Sequence, residues 1–141
     1  MQRLSTGAVL SYKLINYIFA AIIVIIFTYS GIFSPRENNY PVSCVHEQIT
    51  GLSCPSCGMS HSFSYIVRGD IKKAREWNIY GPRVFLFFLF QLILRISNIV
   101  IIKRKPEMIR LISLSDILLS VLSVGLGFWQ FIEYYIKMFS I

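Results

Sequence analysis

Three stretches of this 141-residue chain are too apolar for too long to belong to a water-soluble fold. Residues 14–33 carry no charge at all. Residues 80–102 are apolar apart from Arg83, Arg95 and a few amides and hydroxyls, and residues 111–136 hold only Asp116 near the start and Glu133 near the end. A helix of about 20 predominantly apolar residues crosses the hydrocarbon core of a bilayer, and each block reaches that length. A helix of a soluble protein keeps one polar face, whereas these blocks are apolar around most of their circumference. The hydrophobic share of 55% and the mean hydropathy of +0.59 exceed those of ordinary soluble domains. The expectation is an all-α membrane protein, a single integral membrane domain over residues 1–141 with three transmembrane helices. Residues 34–79 then form a polar loop between the first and second. Arg3 and Lys13 before the first block and Thr28-Tyr29-Ser30 within it resemble a signal peptide, but the uninterrupted length favours an uncleaved anchor.

Charge sets partners and orientation. Fourteen Lys and Arg against seven Asp and Glu give a formal charge of +7. The basic residues flank the apolar blocks, which points to the bilayer and its anionic lipids and not to nucleic acid. The loop Lys103-Arg104-Lys105-Pro106-Glu107-Met108-Ile109-Arg110 concentrates four positive charges in eight residues. The positive-inside rule places such a loop in the cytoplasm, together with the N-terminus, and leaves residues 34–79 outside an inner (cytoplasmic) membrane. Arg36, Arg68, Lys72, Lys73 and Arg75 in the long loop pull the other way.

The long loop holds every cysteine and both histidines: Cys44, His46, Cys54, Cys57 and His61. Ser34-Pro35-Arg36-Glu37-Asn38-Asn39-Tyr40-Pro41 is an irregular connection, with two prolines and two asparagines. Cys54 near an N-cap and Pro55 at the first helical position then suggest a helix start. From there Met59, Phe63, Ile66 and Val67 define an apolar face, and Cys57, His61, Ser64 and Arg68 the opposite one. Gly69 is placed to end this helix, and Asp70 to cap a second, Ile71–Trp77, with Ile71, Ala74 and Trp77 on one side. An amphipathic pair of this kind lies on the membrane surface.

Three chemistries fit the cysteines. Cys44, Cys54, Cys57 and His61 make an accepted structural zinc set, with His46 as a substitute ligand. A C-x-x-C turn at a helix start also lowers a thiol pKa, so that Cys54 or Cys57 could exchange disulfides with Cys44 as partner. The plainest reading is a structural disulfide among the three cysteines, favoured if the loop is extracytoplasmic.

The run Thr50-Gly51-Leu52-Ser53-Cys54-Pro55-Ser56-Cys57-Gly58-Met59-Ser60 follows Cys44 and precedes Arg68-Gly69-Asp70 and Asn78. This pattern, over roughly residues 44–100, resembles the domain of unknown function 2752 family, small bacterial and archaeal membrane proteins with no established activity. The resemblance implies a membrane fold and assigns no reaction. Members commonly carry Arg where this chain has His61, which argues against an obligatory metal ligand there and for a cationic role against a lipid phosphate or a helix end. Members also often show Asn-Pro where Asn78-Ile79 stands.

Arg95 and Asp116 lie at matching depths on either side of the basic loop. An intramembrane charge is costly unless paired, so the two are expected to form an ion pair, the alternative being an Arg95 that snorkels alone to the headgroups. Beyond Arg95, Asp116, Gln91 and Gln130 the spans are poor in polar groups, which disfavours a transport pathway. Gly125 and Gly127 permit close helix packing without the four-residue spacing of dimer motifs. The functional expectation is a non-enzymatic accessory or scaffold subunit that engages a membrane protein partner through its cysteine loop. The alternative is a thiol-disulfide or metal-handling protein that uses Cys44, Cys54 and Cys57.

Overall fold

A computed structural model of the chain describes residues 6–33 and 55–139. The described residues hold five α-helices: α1 (Thr6–Ile32), α2 (Met59–Val67), α3 (Ile71–Trp77), α4 (Gly81–Arg104) and α5 (Ile109–Phe139), with a 3-10 turn at Pro106–Met108. The described residues contain no strand. Three segments, Gly7–Ile32, Gly81–Arg104 and Pro106–Tyr134, are long and apolar enough to cross a membrane. Only 11, 28 and 17% of their most apolar windows are buried by protein. Leu10, Ile25, Leu86, Ile117, Val121 and Leu126 are all more than 60% exposed, so the solvent these faces require is lipid.

The basic connection is shorter than the sequence suggests. Helical hydrogen bonding carries α4 through Lys103 and Arg104, and Lys105 N–H still reaches the Ile101 carbonyl at 2.8 Å. Only Lys105 to Met108 separates the two long helices, because Pro106 cannot donate to a continuing helix but is well placed to open the 3-10 turn.

The described residues gather into two compact units. One holds α1 up to Ile25 together with Phe87–Leu126. Ile102, Ile109 and Ile112 form its apolar core, with Val9, Tyr12 and Met108 packed against them. The other holds the rest of α1, residues 55–86 and α5 from Gly127. Here Phe85 stacks on Phe27 at 4.7 Å between ring centroids and meets Phe63 edge-on at 5.3 Å. Offset and edge-to-face contacts of this kind suit the aromatic quadrupole.

The segment after the cysteines departs from the expected helix start. Pro55–Gly58 is a turn, and α2 begins only at Met59. Gly58 adopts φ 75°, a left-handed conformation that interrupts any helix from Pro55. Its other constraint is steric, since a β-carbon at Gly58 would lie 2.5 Å from the Trp77 carbonyl oxygen. The far end of α2 follows the expectation. Gly69 at φ 84° closes a Schellman motif, with Gly69 N–H on the Ile66 carbonyl and Asp70 N–H on that of Tyr65, each 2.9 Å. Asp70 then caps α3 by accepting from Lys73 N–H at 3.1 Å.

The buried face of α2 is mixed rather than apolar. Phe63 is buried as expected, but so are Ser62 and Ser64, whereas Val67 is 45% exposed. Ser64, expected on the outward polar side, turns inward because its hydroxyl donates to the Phe33 carbonyl at 2.6 Å.

Candidate functional site

Two polar groupings carry the chemistry of the described residues, one in each unit. The first is an intramembrane cluster built on helical spacing. Gln91, Arg95 and Asn98 recur on α4 at four and three residues, and Asp116, Ser120 and Ser123 on α5 at the same intervals. Each set therefore lines one face. Arg95 Nη1 meets Asp116 Oδ2 at 2.7 Å, with both side chains at least 90% buried. The same nitrogen donates to Asn16 Oδ1 at 3.2 Å. Nη2 donates to Gln91 Oε1 at 3.0 Å and Ser120 Oγ at 2.7 Å.

The partners are themselves held. Tyr12 hydroxyl donates to Asp116 Oδ2 at 2.7 Å, and Asn16 Nδ2 to the Tyr12 carbonyl at 2.8 Å. Gln91 Nε2 donates to Ser123 Oγ at 2.7 Å, and the Phe19 ring lies 5.8 Å from the guanidinium carbon. The cluster thus ties α1, α4 and α5 together and makes a buried arginine and aspartate neutral as a pair. Asn98 Nδ2, one turn beyond Arg95, is buried with no hydrogen-bond partner among the described residues.

The second grouping is the corner that follows the cysteines. Asn78 sits between α3 and α4, and its Nδ2 donates to both the Pro55 and Cys57 carbonyls at 2.9 Å. Its Oδ1 accepts from Tyr80 N–H at 2.9 Å, so one amide fixes the Pro55–Cys57 turn to the start of α4. His61 lies flat on Trp77, ring centroids 4.1 Å apart and planes 8° from parallel. Gly81 closes the same corner. A β-carbon there would overlap the buried Ser62 hydroxyl, whose oxygen has no hydrogen-bond partner among the described residues.

Arg68 anchors the corner to α1. It donates to the carbonyls of Ser30 (3.2 Å), Gly31 (2.9 Å), Phe33 (3.3 Å) and Ser64 (2.9 Å), and to the Ser64 hydroxyl. The last carbonyls of a helix lack intrahelical donors, and a guanidinium with its fork of N–H groups supplies several at once. Arg68 is thus the cation that serves the C-terminal end of α1.

Of the four candidate zinc ligands, Cys57 and His61 are half-buried, while Cys44 and Cys54 lie outside the described residues, as does His46. Among the described residues no group of three or more His, Cys, Asp or Glu side chains is placed to hold a metal. Tyr12, Asn16, Ser120 and Ser123 carry no motif in the sequence beyond the visible Asp116-Ser120-Ser123 spacing. The roles of Asn78 and Arg68 depend on chain reversals that the sequence alone does not fix.

These features define a helical protein with three membrane-compatible spans and a compact polar corner between the first and second. Residues 44–92 match the model of the family described as protein of unknown function, DUF2752, which is the family that the cysteine motif resembles. The matched segment ends just short of Arg95, so it covers the corner and the first half of α4. No curated protein and no solved structure matches the chain.

Proposed function

We propose that the chain is a non-enzymatic scaffold of a bacterial-type inner membrane, which presents its cysteine segment rigidly to a membrane protein partner. The observation that carries this reading is the double hydrogen bond of Asn78 to the Pro55 and Cys57 carbonyls. It gives the Pro55–Gly58 turn an architectural purpose. The Gly58 and Gly81 close approaches, the His61–Trp77 stack and the Arg68 clasp support it, since all stiffen the same corner. In the proposed topology the N-terminus and Lys103–Arg110 are cytoplasmic and the corner faces outward, supported by the positive charge of that connection.

Within this reading the cysteines form a structural disulfide that secures the rest of the motif to the corner; the support is the closeness of Cys44, Cys54 and Cys57 in the sequence and the hold of Asn78 on the Cys57 carbonyl. A second reading is thiol-disulfide exchange among Cys44, Cys54 and Cys57, which a C-x-x-C pair permits as well as zinc binding by Cys44, Cys54, Cys57 and His61. Photo-crosslinking in native membranes tests the scaffold. A photoreactive residue at Ser56, which is exposed, should give one discrete protein adduct that disappears in Asn78→Ala. Adducts to lipid alone would contradict the reading.

A further inference from the structure

The unit that carries the corner also holds an open pocket of about 580 Å³ that neither the cysteine motif nor the Asn78 and Arg68 contacts use. Arg75 and Glu76 from α3, Tyr80 and Arg83 around the start of α4, and Gln130 from α5 supply its polar wall. Ile79 and Leu86, 70 and 62% exposed, supply an apolar one. Neither the Arg75 nor the Arg83 guanidinium has a hydrogen bond or ion pair among the described residues. This contrasts with Arg68 and Arg95, each of which holds several acceptors.

We propose that this pocket binds the phosphodiester of an anionic membrane phospholipid. The 24 residues of α4 rise about 36 Å, slightly more than the ~30 Å hydrocarbon core. Arg83, in its first turn, therefore lies at headgroup depth in a bilayer that the helix crosses. Leu86 follows three residues later, about 4.5 Å further along the axis, where acyl chains begin. A cationic rim above an apolar wall is complementary to a lipid and not to a free anion. Two guanidiniums and the Glu76 carboxylate leave the pocket with one net positive charge, which matches the single negative charge of a phosphodiester. Glu76 is placed to accept a hydrogen bond from a headgroup hydroxyl, so a phosphatidylglycerol-type lipid fits the site. Tyr80 adds an amphipathic ring of the kind enriched at membrane interfaces. The site stands whether or not the corner engages a protein partner.

The test uses the full chain, purified in a neutral detergent and examined by native mass spectrometry. It is repeated in phosphatidylcholine nanodiscs containing graded phosphatidylglycerol. The wild type should retain phosphatidylglycerol in preference to phosphatidylcholine. Arg75→Gln combined with Arg83→Gln should lower that retention roughly tenfold or more, since charge-assisted hydrogen bonds to phosphate are the strong ones. Arg75→Lys with Arg83→Lys keeps the charge and should retain most of the preference, with circular dichroism confirming that all variants are helical. Millimolar inorganic phosphate or glycerophosphoglycerol should not displace the lipid. Equal retention by wild type and the double glutamine variant would overturn the site. Displacement by free phosphate would overturn its assignment to lipid.

Discussion

Replacing Asp116 with Asn removes one charge from the buried cluster while keeping the side-chain shape and an acceptor for Tyr12. At 2.7 Å and an effective dielectric of ~20 the Arg95–Asp116 attraction is about 6 kcal/mol before desolvation is counted. The net value is smaller, because both groups leave water, but removing one partner strands the other, which costs about 3–5 kcal/mol at buried sites. Arg95 would keep the Asn16, Gln91 and Ser120 oxygens, so the lower part of that range applies. Neutral hydrogen bonds between membrane helices average only about 0.6 kcal/mol, so a loss near 3 kcal/mol reports the charge and not the amide exchange. The assay is reversible unfolding of the full chain in mixed micelles, with Arg95→Met and the Arg95→Met/Asp116→Asn pair completing a cycle. The double variant should be more stable than the sum of the single losses by about 2 kcal/mol or more. A single Asp116→Asn loss under about 0.5 kcal/mol with no coupling would refute the ion pair as a structural element.

Gly81→Ala should destabilise the corner by about 1–3 kcal/mol through the Ser62 overlap, and Ser62→Gly in the same chain should recover most of that loss in the same unfolding assay. Asn78→Ala strips two carbonyls of their donor and should cost about 1–3 kcal/mol, with faster amide exchange at Met59 and Ser62 as the local readout. The Lys73 backbone N–H, with the Lys73 ammonium beside it, holds the Asp70 carboxyl below its ordinary value. The cap is therefore fully present above the ordinary carboxylate pKa and is lost as pH falls through the lowered one. The Lys73 amide resonance should titrate in that acidic window and become pH-independent in Asp70→Asn.

The three spans were legible because their signal is composition sustained over about twenty residues, which no local geometry can override. The Arg95–Asp116 pair was legible for a related reason: two charges in hydrocarbon at matching depths have few other ways to be satisfied. The second helix of the polar segment was readable from Gly69 and Asp70, whose backbone chemistry is local. The start of α2 is ambiguous in the sequence because Pro55 suits a first helical position and a left-handed turn at Gly58 also fits. The choice is made by distant contacts, the Trp77 carbonyl against Gly58 and the Asn78 amide on Pro55 and Cys57. The Ser64 hydroxyl suits a water-facing side by its chemistry, whereas here the Phe33 carbonyl, which also accepts from Arg68, draws it inward. Arg75 and Arg83 looked like ordinary flanking charges until the chain reversal at Asn78 brought them to one pocket.

A scaffold role requires cysteines that hold a shape and do not turn over. Its most direct test is the thiol state of Cys57 in living cells, trapped by acid quenching and differential alkylation before and during a brief pulse of membrane-permeant reductant and after its removal. Under that role Cys57 should stay fully oxidised in growing cells and resist the pulse, and Asn78→Ala should make it reducible as the corner loosens. A Cys57 pool divided between thiol and disulfide in untreated cells, exchanging within minutes in the intact wild type, would contradict it and establish thiol-disulfide exchange instead.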